Sequence, residues 1–229
     1  MMDPLYSKAH IRESLKPQPS APDDDMLWLA QGQPHLVERV RAFAATVRRT
    51  PAAVLVPLVE RELGWTVLLT QRAATLKDHA GQVSFPGGRI DPQDADAWRA
   101  ALREANEEIG LSESFVELAG YLPDHWVVTG FRVTPAVGFV NPAFELRIAT
   151  AEVHDVFEVP LEFILDAANH KPREYKMGGL TAEVFDIPYG ERNIWGATAG
   201  MLLTLRRMLH AGAGTPSGLA PTDEASSNS

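Results

Sequence analysis

The densest group of reactive side chains in the chain is the run Arg103-Glu104-Ala105-Asn106-Glu107-Glu108-Ile109-Gly110-Leu111. Its pattern of charged and apolar positions predicts a helix. At ~100° per residue, Glu104, Glu107 and Glu108 fall within an arc of about 100°. Trp98, Leu102, Ala105 and Ile109 gather on a separate arc centred roughly 140° away. One side can pack into a core while the other concentrates negative charge. Carboxylates this close repel one another, and apolar burial gives no reason to gather them. A divalent cation removes the repulsion, and an oxygen-only ligand set selects Mg²⁺ or Mn²⁺. Glu104 and Glu108, four apart, can clamp one ion, with Glu107 left to hold a second or to position water. Taken alone, such a run is more often a solvated acidic face. Gly87 and Gly88 just upstream tip the balance, because two glycines let the backbone approach closely and turn sharply.

These groups need elements to hold them. Ala52 to Val59 is an apolar run that reads as a buried strand, Glu60 to Gly64 as a turn, and Trp65 to Gln71 as the hairpin partner. Residues 72–90 form a loop and short strand leading to the acidic helix, which Asp91 or Asp94 can N-cap and Gly110 can terminate. Strands are predicted at 114–122 and 132–140, with 124–130 as the loop between them, then at 152–157 and 180–187. A short helix is predicted over 161–168, a loop over 169–179 and a terminal helix over 194–209. Leu36, Val40, Phe43 and Val47 suggest another short helix over 35–49. The domain organisation is then a flexible N-terminal arm (1–34), one folded domain (35–209) and a disordered C-terminal tail (210–229) rich in Gly, Ala, Pro, Ser and Thr. The fold class is α/β, a mixed sheet flanked by helices.

Composition narrows the function classes. At 229 residues there is room for one domain with tails. A net charge of −9 argues against broad nucleic-acid binding. No apolar run approaches the ~20 residues needed to cross a bilayer, and the N-terminus carries no signal-peptide pattern. The chain ends Ser227-Asn228-Ser229, unlike a peroxisomal address. With no cysteine, disulfides, zinc–thiolate sites and a cysteine nucleophile are excluded. A cytoplasmic location fits these features.

Two motifs carry a family resemblance. From Gly88, the spacing to Asp94, to Arg103-Glu104, to Glu107-Glu108 and to Gly110-Leu111 resembles the box of the Nudix hydrolases. Asp94 stands where that box has Glu, and eight residues instead of seven separate it from Arg103. The preceding segment, LLTQRAATLKDHAGQVSFPGG at 68–88, resembles the motif of the coenzyme A pyrophosphatase branch. Leu68, Leu69, Thr70, Arg72, Leu76, His79, Gly81, Val83, Phe85, Pro86, Gly87 and Gly88 fit it. Lys77 replaces an Arg, keeping charge but losing the planar fork. The branch also carries the longer box spacing. The likeness extends to EVHDVFEVPL (152–161) and IWGATA (194–199).

The resemblance implies a Nudix-type α/β/α sandwich with a catalytic loop-helix-loop. It implies metal-dependent hydrolysis of the pyrophosphate of coenzyme A or acyl-CoA, giving 3′,5′-ADP and 4′-phosphopantetheine. Glu104, Glu107 and Glu108 would bind metal. Arg103 can contact phosphate or hold Glu104 in place, the resemblance favouring the second, and a plain helix salt bridge with Glu107 or with Asp94 is the structural alternative. Arg72, Lys77 and His79, with Gly87 and Gly88, are the candidates for substrate binding, the three cations suiting a ribose 3′-phosphate. Glu104 and Glu152 are candidates for general base, Glu152 being read first as structural. Trp195 and Thr198 read as packing and capping residues. The expected partner is a small-molecule substrate, with no nucleic acid and no membrane, and a homodimer is compatible. Alternatives are another nucleoside diphosphate derivative as substrate, or a non-catalytic ligand-binding Nudix protein.

Overall fold

The computed structural model describes residues 6–20, 38, 49–76, 79–127, 130–177 and 180–211. Strand β1 (Thr50–Arg61) is its axis. Ala52, Val56 and Leu58 enter one core cluster, while Ala53, Leu55 and Val59 enter another. A strand buried on both faces needs apolar residues at nearly every position, which explains the unbroken apolar run. β1 turns back into β2 (Gly64–Arg72) and pairs from Thr50 to Val59, in parallel, with β7 (Phe131–Val140). β3 (Val83–Ser84) and β8 (Val153–Pro160) flank β2. β4 (Gly87–Arg89) lies against the first half of β1, and β5 (Val116–Tyr121) and β6 (His125–Val127) lie against β7. The result is a mixed eight-stranded sheet.

Helices cover both faces. The acidic helix, here α2 (Ala97–Ile109), buries Ala97, Ala100, Ala101, Ala105 and Ile109 in the cluster shared with Ala53, Leu55 and Leu68. Alanine at four of these positions lets the helix sit close to the sheet. The opposite face is covered by α1 (Lys8–Ser14), α3 (Leu161–Leu165) and α4 (Gly196–Ala211), through Ile11, Ile164, Leu202, Leu205 and Leu209. A second, three-stranded sheet of β9 (Lys171–Met177), β10 (Leu180–Tyr189) and β11 (Arg192–Ile194) completes the structure. Arg192 joins the two sheets, lying over the Phe157 ring at 4.3 Å and pairing with Asp155.

The structure departs from the sequence expectations in four places. Residues 6–20 are not a loose arm. Ile11 is fully buried, His10 Nε2 lies 2.9 Å from the Leu209 carbonyl, and Lys16 and Tyr121 exchange backbone hydrogen bonds. The Pro-rich and acidic composition around this segment hid one amphipathic turn. Asp96, not Asp91 or Asp94, caps α2, accepting from the Arg99 N–H at 2.8 Å. The loops expected at 169–179 and 124–130 contain β9 and β6, whose strands are polar or short and gave no alternating signal. The helix expected over 35–49 lies outside the described residues apart from 38 and 49, and so do 21–34 of the arm and 212–229 of the tail. Gly110 closes α2 as expected, with φ 71°. Among the described residues no helix is long and apolar enough to cross a membrane.

Candidate active site

Three segments meet at the glutamates of α2. The first is the end of β2, which delivers Arg72. The second is β4, whose Gly87 and Gly88 pair with Val54 and Ala53 of β1. The third is the turn at 149–152 that leads into β8. The Ala73 N–H donates to the Glu152 carbonyl at 2.9 Å, fastening this turn to the end of β2. Two backbone donors from the same region, Arg147 and Ala149, satisfy the Ile109 and Glu108 carbonyls at the C-terminus of α2, at 2.8 and 2.9 Å. No sequence signal announces that support.

The three glutamates are not equivalent. Glu108 is 4% exposed, at the boundary between the charged and apolar arcs. Its carboxylate accepts from the Gly87 N–H at 3.2 Å and lies 3.9 Å from Arg72 Nη1. Burial nonetheless dominates and pushes its pKa up to about 7, with Glu104 and Glu152 adding repulsion. Glu104 is half-buried, and burial likewise raises its pKa against the pull of Arg103, with Glu107 and Glu152 pushing the same way. Glu107 is exposed. Glu104, Glu108 and Glu152 therefore feel one another's charge, whereas Glu107 adds to the field at Glu104.

Glycine is required at both positions of the pair for different reasons. A Cβ on Gly88 would stand 2.5 Å from Glu104 Oε1. A Cβ on Gly87 would stand 2.4 Å from the Ala53 carbonyl oxygen. The first keeps room for a carboxylate and the second keeps β4 against β1.

Arg103 organises the acids. Its Nε and Nη2 donate to the two oxygens of Asp94 at 3.1 and 3.0 Å, and Nη2 also donates to the Arg89 carbonyl at 3.0 Å. Nη1 bridges Glu104 at 2.8 Å and Glu107 at 3.2 Å. Asp94 is in turn held by the Asp91 N–H at 2.8 Å, and Arg103 depresses its pKa. Arg103 thus contacts Asp94, Glu104 and Glu107 at once, which includes the plain salt bridges to Glu107 and Asp94 that its sequence position also allowed.

Of the candidate substrate residues, Arg72 reaches the carboxylates, and its buried Nε has no hydrogen-bond partner among the described residues. His79 is at the surface of the 73–82 loop, with positive φ (59°) and its Nδ1 2.9 Å from Gln82 Oε1. It is not drawn in among the acids. Lys77 lies outside the described residues. Thr198 does not cap α4; its hydroxyl donates to the Val83 carbonyl at 3.0 Å and pins β3. Trp195 packs under Arg173, 5.5 Å from the ring centroid.

The donor set suits a hard divalent cation. Glu104 and Glu108 are neighbouring carboxylates that burial drives towards protonation, and a cation would take the place of those protons. Among the described residues no three acids or histidines close into a ready-made cage, so Arg103 supplies the compensating charge at Glu104 and Glu107.

A mixed sheet with a glycine pair facing a glutamate-bearing helix defines a class, and comparison with known proteins agrees. The NUDIX domain profile matches residues 48–178. The chain is 43% identical over 167 residues to the protein described as uncharacterized Nudix hydrolase NudL of Citrobacter koseri, spanning 73% of this chain and 86% of that one. It is 43% identical over 160 residues to NudL of Escherichia coli strain K12, spanning 70% and 83%. The crystal structure of the MutT protein from Methanosarcina mazei Go1 matches with a TM-score of 0.42 at 24% identity, over 52% of this chain and 83% of that one. The chain belongs to the Nudix hydrolase family.

Proposed function

We propose that this protein hydrolyses the pyrophosphate of coenzyme A or acyl-CoA, releasing 3′,5′-ADP and (acyl-)4′-phosphopantetheine. One observation supports the reading above the others. The two ends of the 68–88 segment converge on Glu108, with Arg72 at 3.9 Å and the Gly87 N–H at 3.2 Å. The segment that resembles the coenzyme A motif thus contacts one of the glutamates assigned here to the metal.

Water attacks one phosphorus, the bridging P–O bond breaks, and the displaced phosphate leaves as an anion while the proton of the water passes to a base. Mg²⁺ or Mn²⁺ held by Glu104 and Glu108, with Glu107 beside them, would neutralise phosphate oxygens and acidify a water. Gly88 lets β4 lie directly against the Glu104 carboxylate, where a Cβ would collide with it. Arg72, 3.9 Å from Glu108, brings a guanidinium charge to the phosphate oxygens. Arg103 holds Glu104 and Glu107 in place. Glu152 is exposed and unburdened by hydrogen bonds through its side chain among the described residues, while its charge is felt at both Glu104 and Glu108. We assign it to orienting or deprotonating the attacking water.

The test is incubation of purified protein with CoA and Mg²⁺ or Mn²⁺, with products identified by mass and Glu108→Gln as control. Release of 3′,5′-ADP by the wild type and its loss in the variant support the reading. Intact CoA alongside cleavage of ADP-ribose or a dNTP overturns it.

A further inference from the structure

The pyrophosphate and metal residues leave the nucleotide end of the substrate without a place. Arg72 is engaged beside Glu108, and His79 is on an exposed loop tied to Gln82. A different arginine stands out. The chain is acidic overall, and its surface arginines are mostly matched to carboxylates, as in Arg12–Glu117, Arg61–Glu158, Arg99–Glu113 and Arg173–Asp186. Arg89, like Arg147 and Arg207, is exposed with no carboxylate partner among the described residues, and of the three it alone adjoins the glycine pair. Its guanidinium instead lies over the Phe131 ring, 5.6 Å from the centroid.

We propose that Arg89 and Phe131 form the subsite for the ribose 3′-phosphate and adenine of the substrate. The proposal rests on the coenzyme A reading. Arg89 follows Gly88 directly, and its backbone is fixed from two sides, by pairing with Ala52 in β1 and by the hydrogen bond from Arg103 to its carbonyl. Register places Phe131 opposite Thr50, two positions before Ala52 on the same strand. The Arg89 side chain therefore reaches across the end of β1 to meet Phe131, while Gly88 faces Glu104. A substrate whose pyrophosphate lies at Gly88 carries its 3′-phosphate only a few covalent bonds further along. That phosphate is dianionic and suits a planar guanidinium that no local acid neutralises. The guanidinium covers one face of the half-buried Phe131 ring, and a purine can stack on the outer plane of the guanidinium itself.

A purely structural cation–π pair makes a different prediction, and the 3′-phosphate separates the two. Hydrolysis of CoA and of 3′-dephospho-CoA is compared in wild type, Arg89→Ala and Arg89→Lys. The expected result is at least a tenfold loss in kcat/KM for CoA in Arg89→Ala, carried by KM, with a several-fold smaller loss for dephospho-CoA. Arg89→Lys recovers part of the loss. An unchanged ratio between the two substrates overturns the subsite. Calorimetric binding of 3′,5′-ADP against 5′-AMP gives a readout independent of turnover. Wild type should prefer 3′,5′-ADP and Arg89→Ala should not. Equal binding by wild type overturns the subsite, even if CoA is cleaved. Preference for 3′,5′-ADP without CoA cleavage would instead count against the proposed reaction.

Discussion

Asp94 and Arg103 grip one another through two hydrogen bonds, at 3.1 and 3.0 Å, although Asp replaces the usual Glu and the intervening segment has one residue more than the Nudix box normally carries. The two departures compensate: a longer lead-in brings a shorter carboxylate within reach of the same guanidinium. Asp94 is shielded, with its side chain 5% exposed, so the pair is held in a site of reduced screening. Asp94→Asn should lower kcat by ~10- to 100-fold, as loss of an outer partner of a metal ligand commonly does. KM for substrate should move little. A double-mutant cycle with Arg103→Lys should be strongly non-additive, because either change alone frees Glu104. Additive losses would show that the pair does not act through Glu104.

The two glycines should fail in different ways. In Gly88→Ala the new methyl meets the Glu104 carboxylate, a movable side chain, so activity should collapse while the melting temperature stays within a few degrees. In Gly87→Ala it meets the Ala53 carbonyl and the Val54 backbone of β1. Backbone cannot step aside cheaply, and ~1–3 kcal/mol or more of stability should be lost. Thermal melts and activity on the same preparations separate the two cases.

Glu108 couples stability to pH. Burial raises its folded pKa to about 7, well above the ordinary carboxylate range. The folded state therefore holds a proton that the unfolded state releases first. The neutral form contributes fully below pH ~4.5, and the contribution is lost as pH rises towards 7, a change on the order of 3 kcal/mol. Metal-free protein should thus lose melting temperature between pH 5 and 8. Glu108→Gln should flatten that slope. Mn²⁺ should raise the melting temperature of wild type at pH 8 far more than at pH 5, and that of Glu108→Gln little at either.

Glu152→Gln should reduce kcat by ~100-fold or more if Glu152 serves the attacking water. Its side chain is exposed, so the melting temperature should not fall. A loss of stability with proportionate loss of activity would return Glu152 to a structural role.

Much of the site was legible in the sequence because it is local. Arg103, Glu104, Glu107 and Glu108 belong to one helix, and helical geometry alone gathers them. What periodicity could not reveal was how each carboxylate is treated by the rest of the fold. Glu108 is buried because Gly87 and Arg72 close over it, and Glu152 approaches because a turn from a distant strand is fastened at Ala73. Both are long-range contacts. The same limit hid Arg89, whose meeting with Phe131 depends on the register of two strands on either side of β1. It also hid the N-terminal segment, where Ile11 is buried by α4, far away in sequence.

On this reading the 68–88 segment selects coenzyme A for the carboxylate site. That selection is tested most directly by competition, with CoA and ADP-ribose at equal concentration in one reaction with Mn²⁺ and both followed by mass. CoA should disappear first, with 3′,5′-ADP and 4′-phosphopantetheine appearing in equal amounts. Consumption of ADP-ribose while CoA remains intact would contradict the account.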